Sequence, residues 1–541
     1  MPLTLSRRSL LVTGTLGLGA FAVPGLGVAQ TVLAARGFTH SVASGEPGAD
    51  SMLLWTRFVP AAGDSARLVA EVSETPDFAR IVATGAAITG AWRDWTVKIT
   101  VDGLRAGQRY HYRFIAADGT RSPVGETKTL PDSAAPMWRA AVFSCSNFGF
   151  GWFNAYGHAA ARDDIDCAIH LGDYFYEYSP GNYPPAAAQV AGRVPQPLAE
   201  TIHLADYRLR YASYRADPDL QALHARVPWI VQWDDHESAN DSWEGGAQNH
   251  DPATEGDWNT RRAAAVQAYR EWMPVSDEPW KAYDIGTLAT LWRTETRLFA
   301  RSRQNEIADI IGSGDPATAL KAFRDGAWSD PAVTMLGSQQ ESWLAHDLTR
   351  SVRQGQKWQV VGFGTILGNL RTPEVAGSWI DPGNKRAVGY VTASIAASQA
   401  GLPGNLDSWG GYPSARARFL KSAQAAEANL IVICGDSHNA WAFDLAQDGP
   451  AGVEFAGHAV TSPGYESAIK RDPRDVARAM VAANPELKWC DTSRRGYMAL
   501  TITPERVRND WLFVDTIRDR RPTATVGHSA EVMRGQRVMT A

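Results

Sequence analysis

Four short apolar runs each end in residues able to hold a metal ion or move a proton. Ala140-Ala-Val-Phe143 is followed by Ser144-Cys145-Ser146-Asn147, and Cys167-Ala-Ile-His-Leu171 by Gly172-Asp173-Tyr174-Phe175-Tyr176-Glu177. Trp229-Ile-Val-Gln-Trp233 runs into Asp234-Asp235-His236-Glu237, then Asn240-Asp241. Leu430-Ile-Val-Ile433 gives way to Cys434-Gly435-Asp436-Ser437-His438-Asn439. Carboxylates suit hard cations, while thiolate, phenolate and imidazole suit iron or another transition metal. Both kinds of donor in one crevice imply more than one ion. Taken singly, each signal has an ordinary explanation. A Gly-Asp after a strand is usually a turn, a lone buried cysteine packs as a small hydrophobe, and a lone tyrosine is a packing aromatic. Asp234-Asp235-His236-Glu237 resists this: four adjacent titratable groups repel and desolvate one another unless a cation or solvent compensates. Asp436 and His438, two apart in an extended segment, share one face.

Wholly apolar runs alternating with longer helical stretches indicate an α/β domain whose strands are covered by helices on both faces. Ligands of open α/β sheets bind outside the carboxyl ends of strands, which is where these residues accumulate. A fifth run is Trp358-Gln-Val-Val361. The helices are expected at Phe153 to Asp163, Leu204 to Tyr214, Thr260 to Trp272, Ser338 to Arg350 and Ser414 to Ala428, with late strands at Gly496 to Ile502 and Val507 to Val514. Upstream the texture differs. Ser51 to Arg57, Ala66 to Val72, Asp94 to Val101 and Arg109 to Phe114 read as short strands between turns. The last alternates aromatic with polar residues, so a small β-sandwich resembling fibronectin type III is expected here. The expected division is a signal at 1–35, the sandwich at 36–131, a catalytic domain at 137–518 and a polar tail at 519–541.

The first residues read as an address. Ser6-Arg7-Arg8-Ser9-Leu10-Leu11 precedes a Gly-rich apolar stretch to Val28, the pattern of twin-arginine (Tat) export. Its glycines and Pro24 argue against a retained anchor, so a periplasmic or secreted protein, handled once by the Tat translocase and without a stable membrane anchor, is expected. The chain of 541 residues, 44% hydrophobic and 21% charged, is neither disordered nor collagen-like. With 53 basic against 58 acidic side chains and no basic tract, it carries no nucleic-acid footprint. Four cysteines are too few for a disulfide scaffold.

At these residues the sequence resembles the PhoD-like alkaline phosphatases, within the calcineurin-like metallophosphoesterases. The matching blocks run in order: the twin arginine, Val42-Ala-Ser-Gly-Glu-Pro47, Leu53-Leu-Trp-Thr-Arg57, Ser144-Cys145, His170-Leu-Gly-Asp-Tyr-Phe-Tyr-Glu-Tyr178 and Asp217-Pro-Asp-Leu-Gln-Ala-Leu-His224. Then come Trp233-Asp-Asp-His-Glu237, Met335-Leu-Gly337, Asp407-Ser-Trp-Gly-Gly-Tyr-Pro413, Cys434-Gly-Asp-Ser-His438, Arg494-Arg-Gly-Tyr497 and Trp511-Leu-Phe-Val-Asp515. The resemblance implies a metallophosphatase α/β core (an α+β sandwich) after the β-sandwich, holding one iron(III) (Fe3+) and calcium (Ca2+). It implies Cys145 as thiolate ligand of iron, Asp173 as bridge between iron and calcium, and Tyr176 as phenolate ligand. Asn240 is implied as a calcium ligand, with Asp436 and His438 completing the set. Asp235 and His236 are left to ligate, orient or protonate. Two segments depart from the family pattern: Gly362-Phe-Gly-Thr365 replaces a Gln-containing stretch, and Glu295-Thr-Arg297 stands where Asp-Thr-Arg is usual. Both touch the expected pocket.

The reaction so implied is hydrolysis of a phosphoester, mono- or diester, by a metal-activated water attacking phosphorus in line. Arg208 and Arg215 are the candidates to grip phosphate, or else surface arginines of a helix. The alternatives are a phospholipase D-type phosphodiesterase on the same fold, an exported iron oxidoreductase with a thiolate–phenolate centre, and a binding protein whose sandwich is the active part.

Overall fold

The computed structural model describes residues 35–540 except 313; the twin-arginine segment lies outside the described residues. Two large sheets face each other. The nine-stranded sheet runs, in spatial order, Ala524–Met533, Arg506–Val514, Gly496–Ile502, Trp138–Phe143, Cys167–His170, Pro228–Val231, Gly37–Gly45, Ser51–Val59 and Thr96–Asp102. The seven-stranded sheet runs Lys281–Ile285, Ala289–Arg293, Trp358–Phe363, Leu430–Cys434, Pro450–Ala456, Ala440–Ala446 and Leu487–Asp491. The strands Trp138–Phe143, Cys167–His170 and Pro228–Val231 are mutually parallel, as are Ala289–Arg293, Trp358–Phe363 and Leu430–Cys434.

The two-residue period of a strand explains why these runs are apolar throughout. Ala140 and Val142 pack with Leu291, Val360 and Ile431 of the facing sheet, in one buried cluster. Ala141 and Phe143 turn the other way, onto Tyr207, Tyr211, Leu223 and Ala265 of the helices Leu204–Arg215, Pro218–Arg226 and Trp258–Trp272. In the second sheet Val361 and Phe363 likewise meet Leu344, Leu348 and Phe419 of the helices Gly337–Arg353 and Pro413–Ala425. The layers are therefore helix, sheet, sheet, helix. The expectation of helices on both faces of each strand is corrected: one face of each sheet is covered by the other sheet, which buries apolar side chains equally well and leaves the same sequence signature.

The amino-terminal strands form a sandwich around Val42, Leu54, Leu68, Val97, Tyr112 and Phe114. Its second layer is the four-stranded sheet Ile81–Gly90, Ser65–Ser73, Arg109–Ala116 and Gly125–Lys128. Its first layer does not stop at the sandwich. Ser44 and Gly45 pair in parallel with Pro228 and Trp229, so the sheet continues into the strands that carry the chemistry. At the far edge, Ala524–Met533 pairs along its length with Arg506–Val514. This strand lies in the segment read as a polar tail; it is an edge strand with most side chains exposed or half-exposed, so it carries little apolar signal.

One buried acid inside the second sheet makes a pH-dependent contribution of its own. Glu454 accepts the N–H groups of Leu367 (2.8 Å) and Gly368 (2.6 Å) and the Cys434 thiol at 3.0 Å. Burial pushes its carboxyl from 4.5 up to about 7. A folded value above the unfolded one means that the native state holds the extra proton, so this contribution is full below about 4.5 and is lost as pH rises through about 7. Glu454→Gln is expected to flatten that fall. Denaturant midpoints of both proteins measured from pH 5 to 8 check it; identical slopes refute it.

Candidate metal centre

The carboxyl ends of the parallel strands bring the expected donors together. One ligand atom each of Cys145, Asp173 and His438 lies within 4.8 Å of the other two, and the same holds for Asp173, Asp235 and His236. Asp173 belongs to both groups. The Tyr176 hydroxyl joins them, donating to Asp173 Oδ2 at 3.1 Å and lying 3.0 Å from His438 Nε2. Residues 145 and 438, nearly three hundred positions apart in sequence, thus meet over one aspartate.

Tight turns at the strand ends produce this convergence. Cys145, Asp173, Asp241, Asp436 and His438 all have positive φ, between 49° and 63°, where only glycine sits without cost. Such backbone strain collects at functional sites and persists only where the surroundings impose it. Gly172, at φ 110°, lets the Asp173 turn pass Asp234: a Cβ there would lie 2.4 Å from Asp234 Cβ. Glu237 fixes the turns from behind, accepting the N–H groups of Asp173 (3.0 Å), Tyr174 (2.6 Å) and Asp234 (2.9 Å). His438 Nδ1 lies 2.8 Å from the Pro463 carbonyl oxygen, which orients the ring. Ser462 donates to the Tyr176 hydroxyl at 2.8 Å.

The electrostatics are those of a cage for cations. Burial, reinforced by Asp235, Asp234 and Glu237, pushes Asp173 well above the carboxylate range. Burial and then the Asp173 charge push the Cys145 thiol and the Tyr176 phenol up as well. Burial and then Asp234 take Asp436 to about 8. Burial lowers His438 to about 3, which leaves the neutral imidazole that ligates metals. Asp235 is the exception: burial opposes its ionisation, but His236 and Arg297 outweigh it. Asp173 Oδ1 and Asp235 Oδ1 are buried without a hydrogen-bond partner. Orphaned carboxylate oxygens beside sulfur, nitrogen and phenol donors fit bound cations, which would supply the missing partners.

The remaining expected residues fall into place differently. Asp436 accepts from Thr365 Oγ1 at 2.5 Å and interacts electrostatically with Cys145, but it lies outside the two tight groups. Asn240 donates its backbone N–H to Glu177 Oε1 at 2.8 Å, and its side-chain amide to Gln248 Oε1 at 3.1 Å. Arg208 and Arg215 are corrections. Arg208 forks onto Glu271 and reaches the Trp92 carbonyl. Arg215 is buried with its guanidinium over the Trp55 ring at 4.1 Å. Their helix turns them toward the amino-terminal sheet and the helix Trp258–Trp272, and packing there consumes both cations.

Four supporting residues had no assigned role in the sequence. Glu177 Oε2 lies 2.7 Å from His236 Nδ1, and Glu237 holds the turns. Glu295, in a departing segment, accepts Trp233 Nε1–H (2.9 Å) and the N–H groups of Arg297, Leu298 and Phe299, so it shapes a turn, not the donor set. Arg297, fully buried, donates to Asp234 at 2.7 and 2.9 Å and to both oxygens of Asp407 at 2.9 Å. Removing that cation strands the buried Asp234, while Asp407 keeps Arg301, so Arg297→Met is expected to cost about 3–5 kcal/mol. A denaturant midpoint equal to that of the parent protein refutes this.

Comparison with known proteins decides the family. The PhoD-like phosphatase family profile matches residues 140–511, and the profile of the PhoD-like phosphatase N-terminal domain matches 26–131. The chain belongs to the PhoD-like phosphatase family. It is 32% identical over 501 residues to alkaline phosphatase D of Bacillus subtilis, covering 88% of this chain and 77% of that one. The solved structure of PhoD superposes with a TM-score of 0.76 at 28% identity, over 94% of this chain and 92% of that chain. Purple acid phosphatase PPD1 from yellow lupin shares the fold, with a TM-score of 0.54 at 14% identity over 92% and 75%. This PhoD-like phosphatase is thus a phosphoester hydrolase with the fold of purple acid phosphatase PPD1, and its two donor groups are suited to hold metal ions. No helix among its described residues is long and apolar enough to cross a membrane.

Proposed function

We propose that the chain is an exported alkaline phosphatase/phosphodiesterase that hydrolyses phosphoesters at an iron(III)–calcium centre. The observation that carries this is the sharing of Asp173 between a group with the Cys145 sulfur, the His438 nitrogen and the Tyr176 phenol and a second group with Asp235 and His236. Cys145, Tyr176 and His438 would hold the iron with Asp173, since soft and phenolic donors suit it. Asp235, with Asp173 in the second group, would serve calcium, which prefers oxygen, and Asn240 and Asp436 would complete the set. Such ions supply a water of lowered pKa as nucleophile and offset the charge that builds on the phosphoryl oxygens.

The chain's own residues do the rest. Asp235, ionised against His236 and Arg297, is available to orient the incoming water. His236, with Nδ1 committed to Glu177, keeps Nε2 to hold a proton for the departing alkoxide. Glu237 and Pro463 hold Asp173 and His438 in place, so little reorganisation accompanies turnover. In this reading residues 1–35 are a Tat signal and 36–131 the amino-terminal sandwich. The catalytic part begins at 137 and is extended beyond 518 by the edge strand. Elemental analysis of the purified protein, beside assays on a phosphomonoester and a bis-ester, tests the proposal. Iron near one equivalent with calcium, and hydrolysis lost to chelation and regained on adding both metals, is expected. Turnover that survives complete metal removal, or that requires dioxygen, overturns it.

A further inference from the structure

We propose that the cavity beside Asp436 seats an apolar organic group of the phosphoester, so that preferred substrates carry a compact alkyl or aryl substituent; this rests on the phosphoester-hydrolase reading above. The cavity holds about 340 Å³, and Thr365, Asp436 and Ser437 contribute to its lining. Asp436 lines the cavity and also interacts electrostatically with Cys145 of the shared-aspartate cluster, so the cavity adjoins the place where a phosphoryl group would bind. At roughly 30 Å³ per water-sized group, the volume accepts on the order of ten heavy atoms.

The wall chemistry selects what fills it. Trp379, Ile380, Val391, Ile469 and Met480 line the cavity, drawn from two chain segments stitched together. Ile380 bridges to Ile469, and the Lys470 N–H donates to the Trp379 carbonyl at 2.7 Å. Three of the polar lining groups are already engaged. Ser394 Oγ donates to the Gly404 carbonyl at 2.9 Å, Asn405 Oδ1 accepts the Asp407 N–H at 2.8 Å, and Thr365 Oγ1 serves Asp436. At the end walled by Trp379, Ile380, Val391, Ile469 and Met480 a sugar or other polyol would lose its hydration without partners in return, whereas a hydrocarbon group loses nothing. Recognition of an apolar ester substituent is the reading these contacts favour.

The test compares ethyl phosphate with cyclohexylmethyl phosphate, primary alkyl esters of similar leaving-group basicity, on the metal-loaded full chain. The larger ester is expected to show kcat/KM at least about tenfold higher, the scale on which hydrophobic pockets discriminate. Val391→Trp and Ala387→Trp, which fill the cavity from the helix Lys385–Gln399, should each bring the two esters to within about twofold. Denaturant midpoints and metal contents equal to those of the parent protein report that both variants fold. Equal constants for the two esters in the parent protein, or a preference that survives both substitutions, overturns the assignment. Hydrolysis of neither ester nor of a bis-ester by the loaded parent protein would sink the hydrolase reading itself, and this inference with it.

Discussion

Asp173→Asn is expected to empty both metal positions at once. The residue shares ligand-atom distances under 4.8 Å with Cys145 and His438 on one side and with Asp235 and His236 on the other. An amide in its place offers one neutral oxygen where two anionic ones stood. The substitution is nearly isosteric, and the N–H of residue 173 keeps its bond to Glu237, so the fold should survive. Loss of metal-activated water is worth several kcal/mol of transition-state stabilisation, and turnover should therefore fall by at least about a thousandfold. Metal analysis of the variant separates the possibilities: absence of both ions supports a bridge, whereas loss of one alone makes Asp173 a terminal ligand and removes the shared-aspartate argument.

Cys145→Ala is the second large effect. The thiol is fully buried, and burial followed by the Asp173 charge disfavours its ionisation, so as a plain side chain it would remain a neutral packing group. A bound trivalent cation would reverse that preference, because a coordinating thiol is deprotonated outright. Removing the sulfur should strip iron and, with it, any thiolate-to-iron charge-transfer absorption, and lower turnover on the order of a hundredfold or more. Calcium should be retained to a greater degree. A variant with full iron content and unchanged rate would remove Cys145 from the centre.

How much of this was legible depends on where each residue's partners lie. The strand ends declared themselves because donors of several kinds followed apolar runs directly, as at Asp234-Asp235-His236-Glu237. The strands themselves were legible because apolar side chains on both faces leave a continuous run, although the run does not say whether a helix or a second sheet provides the cover. Arginines were not legible. Arg208 and Arg215 looked available on a helix, yet one is bound to Glu271 and the other lies over Trp55; Arg297, in a departing segment, anchors Asp234 and Asp407. A guanidinium is assigned by its carboxylate, and these carboxylates stand 63 and 110 positions away along the chain. Glu237 escaped for a related reason: its partners are backbone N–H groups, which no side-chain pattern announces. The cavity beside Asp436 is assembled from segments on either side of the Leu430–Cys434 strand, and it has no linear signature at all.

The parallel pairing of Ser44 and Gly45 with Pro228 and Trp229 makes the amino-terminal module structural masonry. A chain pruned back to residue 137 would bare the flank of Pro228–Val231, one strand from the turn that carries Asp173, and leave unpaired backbone groups ready to recruit another copy. Recombination in such a lineage can trade the outer four-stranded layer or lengthen surface connections. It cannot discard the strand Gly37–Gly45 without finding the exposed flank a replacement.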